Sequence, residues 1–328
     1  MPILKIPIEL LSMFKADPDN FIRDIANFPQ ESVLKFFRNA SMNYRSITRS
    51  RVNPFDFKTH QFHPDFRARD DYRRFMHFDL SLGGDLCAFA MGHSKNFMEV
   101  SSLEGHKLKT LMLPYIEIDF IGILLVDKRD EVWLPEVTSI IGKISDLGFN
   151  LTLLTFDRFQ SAYIMQELRD QGYLTSLLSI DRTANYPVID LEKEDKISRK
   201  TTEGNYIAAM SCLKDTINHG RISVPFHPSI DRNTTETEFE IELKAAEHHV
   251  KKKKVDHPNN GKLDVLQAIA GVCYNIENNV KAADDGGSSL HNEVNDDFYD
   301  KYNYSELDEL DEYFGKPVLE IKNDTFLG

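Results

Sequence analysis

Long apolar runs are missing from this sequence. No stretch approaches the roughly 18 apolar residues a bilayer-spanning helix needs, and the longest, around Phe120 to Val126, is strand-sized. Cysteine is scarce: Cys87, Cys212 and Cys273 are odd in number, widely separated and without paired metal-ligand spacing. A disulfide framework is excluded, and a reduced intracellular protein is the expectation. The first residues, MPILKIPIELL, lack a long apolar core and a small-residue cleavage site, so a secreted protein is not expected. Nor is there a G-x-x-x-x-G-K-[ST] loop: the Gly-Lys pairs at 142–143 and 261–262 have neither the earlier glycine nor the following Ser or Thr. Phosphate cradling of that kind, and with it an ATPase motor, is absent from this sequence.

What is present is ordinary for a soluble globular chain. The 328 residues are 41% hydrophobic and 28% charged, enough for one large domain or two small ones. The formal net charge of −13 is unevenly spread. Residues 283–328 carry thirteen Asp or Glu against three Lys, while residues 1–282 are close to neutral at −3. Net charge therefore does not exclude a nucleic-acid partner.

Three parts are expected. Residues 1–70 read as an arm or linker, with short helices over 7–14 and 18–25 and then a polar, aromatic-dotted stretch. Residues 71–282 carry the strong periodic signals. RRFMHFDLSL and DLCAFAMGHS flank Gly83-Gly84 as two strands, and YIEIDFIGILLV after Pro114 is a third. A helix opened by Pro135 ends near Gly148, then strand 150–156, helix 160–172 and strand 174–180 follow. Further helices are expected near 203–218, 236–254 and 263–278. Three strands, then alternating helices and strands, is the order of a ribonuclease H-like α/β sandwich, a mixed sheet flanked by helices. Residues 283–328, acidic and tyrosine-bearing, are expected to be a disordered tail.

Three aspartates stand out against this frame. Asp79 lies between Phe78 and Leu80, Asp157 directly follows an apolar strand, and Asp264 opens a helix after the His257-Pro258 corner. If the first and fourth strands of the body are neighbours, Asp79 and Asp157 lie side by side, and Asp264 can close the cluster. Such carboxylates repel unless cations neutralise them, and all-oxygen ligation suits Mg²⁺ or Mn²⁺. Two such ions can activate water and stabilise the leaving oxygen at a phosphodiester. The competing reading for Asp157 and Asp264 is helix N-terminal capping. Asp79 resists that reading, because a carboxylate in an apolar strand costs several kcal/mol unless paired or metal-bound.

The blocks that carry these residues resemble a known family. HFDLSLGGDLCAFAMGHS (77–94), LLTFDRFQSAYIMQELRDQGY (153–173), SIDRTANYP with HGRISVP (219–225), and KVDHPNNGKLDVLQAIAGVCYN (254–275) are similar, in order and spacing, to the nuclease motifs of phage terminase large subunits. The resemblance implies a metal-dependent endonuclease cutting concatemeric viral DNA, that is, linked genome copies, into packaged units. Asp79, Asp157 and Asp264 match the family's essential carboxylates, and Asp85 matches an auxiliary metal ligand. Two departures bear on the outer shell: Lys262-Leu263 precedes Asp264, and Gln267 stands where a second Asp is common. The implied partners are double-stranded DNA, a separate terminase ATPase polypeptide or domain, the small terminase subunit and the portal, in the cytoplasm of an infected cell and with no membrane. Without the motor motif, the chain is expected to be a split-gene product or a fragment.

Basic residues near these blocks are phosphate candidates. They are Arg73 and Arg74 before the first block, Arg158, Arg182 and Arg221, and the run Lys251, Lys252, Lys253 and Lys254. Gln160 and Ser161 can position DNA or open a helix. His77 is expected to pack on the face opposite Phe78, and Glu117 and Asp119 to mark the solvated side of an edge strand. A Holliday-junction resolvase or other ribonuclease H-like nuclease is the alternative enzyme, and an inactive packaging scaffold the alternative without catalysis.

Overall fold

Apolar alternation in the body gives strands, and strand pairing sets where every candidate residue lies. The computed structural model describes residues 35–37, 46–80, 87–104, 107–124, 134–157, 161–180, 187–190, 195–198, 208–230, 234–249, 254–258 and 261–280. The first elements are β1 (Ile47–Val52), β2 (Phe55–Asp56), β3 (Gln61–Phe62), β4 (Arg73–Asp79), β5 (Cys87–Glu104) and β6 (Lys107–Leu124). Then come α1 (Leu134–Asp146), β7 (Asn150–Phe156), α2 (Ala162–Asp170), β8 (Thr175–Leu177), β9 (Pro187–Asp190) and β10 (Asp195–Ser198). The last are α3 (Ala208–Asn218), β11 (Ile222–Phe226), α4 (Glu238–Ala245), β12 (Glu247–His249), β13 (Lys254–Asp256) and α5 (Asp264–Asn279).

Seven strands form one mixed sheet in the order β1-β11-β6-β5-β4-β7-β8. β5 runs antiparallel to both β4 and β6, while β4–β7, β7–β8, β6–β11 and β11–β1 are parallel pairs. The central order β6-β5-β4-β7-β8, with β5 alone reversed, is the ribonuclease H-like arrangement expected from the element order. Helices cover both faces. Val137, Ile140, Ile141 and Ile144 of α1, with Ile164, Met165 and Leu168 of α2, pack on Met76, Phe78, Phe89 and Phe156. The other face carries α3, α4 and α5 over Phe75, Ala88, Ala90, Ile116 and Ile118. Phe78 stacks between Phe89 and Phe156, with centroids 5.4 and 4.8 Å away. Each fully buried phenylalanine contributes about 1.5–3 kcal/mol.

α5 is buried along nearly its whole length. Its small residues let it lie close to the sheet: a Cβ at Gly271 would sit 2.2 Å from the His77 ring. α1 stops at Gly148 (φ +86°) and α2 at Gly172 (φ +90°), the left-handed positions that glycine takes without a Cβ penalty.

Several expectations are revised. Residues 46–70, read as part of an arm, help build the body: β1 is the edge strand of the sheet. Arg51 reaches Glu117, the Ile118 carbonyl and the Ser223 carbonyl, while the Asn53 side chain exchanges hydrogen bonds with the Ile121 backbone. Phe55, Phe62 and Phe66 pack on Phe120, and Phe66 also on Phe149. Because β11 pairs along its other side, β6 is interior, and Glu117 and Asp119 are not on a solvated edge. Glu117 pairs with Arg51 and Lys95, and Asp119 with Arg74 and His93. β6 also begins before Pro114, because β5 and β6 continue past the sheet as a ribbon reaching Glu104 and Lys107. The helix expected over 236–254 is only α4, followed by the β12–β13 hairpin, whose pairing buries His248 and Val255. The helix expected over 203–218 is described from Ala208. The expected helices 7–14 and 18–25 and the tail 283–328 lie outside the described residues.

Candidate active site at the carboxyl end of the sheet

All parallel strands of the sheet point their carboxyl ends to one edge, where ligands of open α/β sheets bind. Asp79 is the last residue of β4, and Asp157 directly follows β7. Phe78 pairs with Phe156 in the parallel register, and the Asp157 N–H donates to the Phe78 carbonyl at 3.1 Å. The two aspartates therefore stand side by side at the ends of neighbouring strands. This is the adjacency that the sequence made conditional on strand order.

Asp264 comes from the other side of the chain, as the first residue of α5. The start of α5 lies toward the same edge, and a shared neighbour records it. Burial raises the pKa of the Cys87 thiol, and the charges of Asp79, Asp264 and Glu136 raise it further. Cys87 itself is fully buried at the start of β5, one residue before the partner of Asp79. Three acids from three elements thus act on one thiol.

Two acids near these aspartates, Glu136 and Glu242, were not singled out from sequence. Glu136 opens the first turn of α1 and meets His60 Nδ1 at 2.5 Å, tying the β2–β3 turn to the same edge. Glu242 of α4 is 2% exposed, and its Oε2 accepts the Leu266 N–H at 2.6 Å. Burial, and then the charge of Asp264, push its pKa well above the usual carboxylate range. A signal for Glu242 was available: Phe239, Glu242, Leu243 and Ala246 share the inward face of a helix, so this acid occupies a core position.

Beneath the aspartates lies a buried polar layer. His77 Nδ1 lies 2.9 Å from Thr155 Oγ1, which also receives the Asn275 amide at 2.7 Å and donates to the Met76 carbonyl at 3.1 Å. A hydroxyl has one proton, so with that proton on Met76 the His77 Nδ1 carries the hydrogen. Burial lowers the His77 pKa to about 3, keeping the ring neutral. As expected, His77 points to the face opposite Phe78, the face that period-two alternation also gives to Asp79, and the ring packs against Gly271 of α5. Its expected packing role stands.

The basic candidates separate. Arg74 is 2% exposed and committed to Asp70 and Asp119, with its guanidinium over the Tyr72 and Phe149 rings. Arg221 is fully buried on Asp215, Glu277 and the Pro114 carbonyl. Both hold the fold together in place of the expected phosphate contacts. Half-buried Arg73 begins β4, about 20 Å along the strand from Asp79 at roughly 3.3 Å per residue. Its place before the first block in sequence does not put it beside the acids. Lys254 pairs with Asp256 on β13. Ser161 is fully buried as the N-cap of α2. Asp85, Arg158, Gln160, Arg182, Lys251, Lys252 and Lys253 lie outside the described residues.

The donors at this edge are carboxylate oxygens, which fit a hard divalent cation such as Mg²⁺ or Mn²⁺. Among the described residues, no group of three or more His, Cys, Asp or Glu stands close enough to hold an ion. No helix of the described residues is long and apolar enough to cross a membrane.

Neither a protein-family model nor a curated protein matches the chain. The chain is similar to terminase nucleases of known structure. The magnesium-bound large terminase nuclease from thermophilic phage G20c matches over 74% of this chain and 98% of its own, at 12% identity and TM-score 0.44. The HK97 bacteriophage large terminase matches over 81% of this chain and 48% of its own, at 13% identity and TM-score 0.40. The human cytomegalovirus terminase nuclease domain, soaked with Mn and inhibitor-bound, matches over 62% and 82%, at 12% identity and TM-score 0.28. These likenesses are distant, and the fold stands on the strand order of the chain itself.

Proposed function

We propose that the chain is a divalent-metal-dependent DNA endonuclease that cuts concatemeric viral DNA during genome packaging. The observation that carries this reading is the pair Asp79 and Asp157, ending neighbouring parallel strands at the edge toward which α5 presents Asp264. The ordered sequence blocks around the same three residues support it. Asp79, Asp157 and Asp264, with Asp85, would hold Mg²⁺ or Mn²⁺. Two bound ions supply an acidified water and neutralise charge on the leaving oxygen.

The chain's own residues prepare that site. The β4–β7 register sets the spacing of Asp79 and Asp157, and the His77–Thr155–Asn275 layer locks the two strands to α5 beneath them. Arg158, Arg182 and the lysines 251–254 would hold phosphates without reading sequence, since charge contacts to the backbone carry no base information. The working partners would be a terminase ATPase, the small subunit and the portal, in the cytoplasm of the infected cell.

Cleavage of supercoiled plasmid with Mn²⁺ or Mg²⁺ tests this reading, with Asp157→Ala and EDTA as controls. Nicking and linearisation that need the metal and fall at least about a hundredfold in Asp157→Ala are expected. Preference for branched DNA or RNA–DNA hybrids over linear duplex would move the assignment to a resolvase-type nuclease. An inert chain that also binds no Mn²⁺, with or without residues 283–328, would make it a scaffold.

A further inference from the structure

We propose that Glu242 is the positioning residue for Asp264, acting by holding the first turn of α5 through its carboxyl group. The inference rests on the nuclease reading for what Asp264 does, and deepens it. The first N–H groups of a helix have no partner within the helix and need one from outside. Leu263 at the N-cap of α5 offers no side-chain acceptor. Glu242 fills that need from a different helix: its Oε2 takes the Leu266 N–H at 2.6 Å.

The carboxyl group is well placed to fix a position because α4 is itself fixed. Thr237 and Glu240 close a capping box at its start, and Arg49 of β1 reaches Glu240 at 3.0 Å. Phe239 and Leu243 lie in the core on either side of Glu242. Polar anchors further along α5, Asn275 on Thr155 and Glu277 on Arg221, lie about three turns downstream of Asp264. They fix the body of the helix about three turns away, and the Glu242 contact adds a polar hold directly at its first turn. Asp264 is the first helical residue, so any shift of that turn moves its carboxylate directly. A metal-ligating constellation tolerates displacements of only about 0.5 Å.

Reach, rather than charge, is what this role requires, and two conservative variants separate them. Glu242→Gln keeps the length and an oxygen acceptor without the charge; Glu242→Asp keeps the charge and is one methylene shorter. The full chain is titrated with Mn²⁺ by electron paramagnetic resonance, and hydrogen exchange is read over residues 262–270. Glu242→Gln is expected to stay within about threefold of wild type in both, while Glu242→Asp exchanges faster in that turn and binds Mn²⁺ about tenfold more weakly. Protection beyond Tyr274 is expected to be unchanged in both variants. The proposal is overturned if Glu242→Asp matches wild type, or if Glu242→Gln is the impaired variant. It is equally overturned if the first turn loosens and Mn²⁺ affinity does not move. Wild type that binds no Mn²⁺ sinks the nuclease reading, while the exchange comparison still decides whether Glu242 holds the turn.

Discussion

Buried charge is where single residues decide most in this chain. Arg221 has no exposure and serves Asp215, Glu277 and a backbone carbonyl together. Removing one partner of such a network leaves the others desolvated and uncompensated. Arg221→Met is therefore expected to cost about 3–5 kcal/mol in urea unfolding. A surface phosphate contact would instead lose DNA affinity and keep stability. His227 gives a separate, pH-dependent signature. It is fully buried against Phe57, and burial lowers its pKa to about 3. Unfolded, the same imidazole titrates near its ordinary value of about 6.5. Between those values the unfolded chain binds a proton that the folded chain refuses, so stability falls as pH drops from about 6.5 toward 3. His227→Phe is expected to flatten that part of a Tm-against-pH profile. A profile unchanged by the substitution would mean that His227 is solvated or paired in solution.

Among the elements, α5 matters most, because it joins Asp264 at one end to the sheet along its length. Its approach to β4 and β5 depends on glycine. A Cβ at Gly271 would sit 2.2 Å from the His77 ring, which Thr155 holds in place. Overpacking of this kind costs about 1–3 kcal/mol, and here the strain falls on the helix that presents Asp264. Gly271→Ala is expected to lower Tm by several degrees and to weaken cleavage more than a surface alanine substitution does. Equal Tm for Gly271→Ala and wild type would show that the helix can move aside freely. The same glycine lies in the last sequence block, residues 254–275, where its neighbours Ala268 and Ala270 already mark a small-residue helix. Its partner, a histidine 194 positions earlier in the chain, was not legible there.

For the whole molecule, the decisive contact is between the N-terminal part of the described chain and the sheet. β1, Arg51, Asn53 and the Phe55–Phe62–Phe66 cluster complete the body on one side, and Phe36 is 1% exposed within its core. A chain beginning at Asp71 is expected to lose its cooperative thermal transition and bind a hydrophobic dye, while one beginning at Lys35 keeps the transition. Two equally cooperative chains would mean that the sheet stands without β1. The outcome follows from distance in sequence. Local pattern alone determined the four strands of the sheet centre, α1 and α2 with their glycine stops, the core helix α5, and the aspartates at strand and helix ends. Those features come from periodicity, turn chemistry and the cost of a carboxylate among apolar neighbours, all of which act within a few residues. Tertiary structure decided that β6 is interior, that Arg74 and Arg221 are structural, that the His77 ring meets Gly271 of α5, and that Glu242 meets the start of that helix. Each depends on which distant segments pair, and pairing is set by the total apolar surface buried, which no short window of sequence contains.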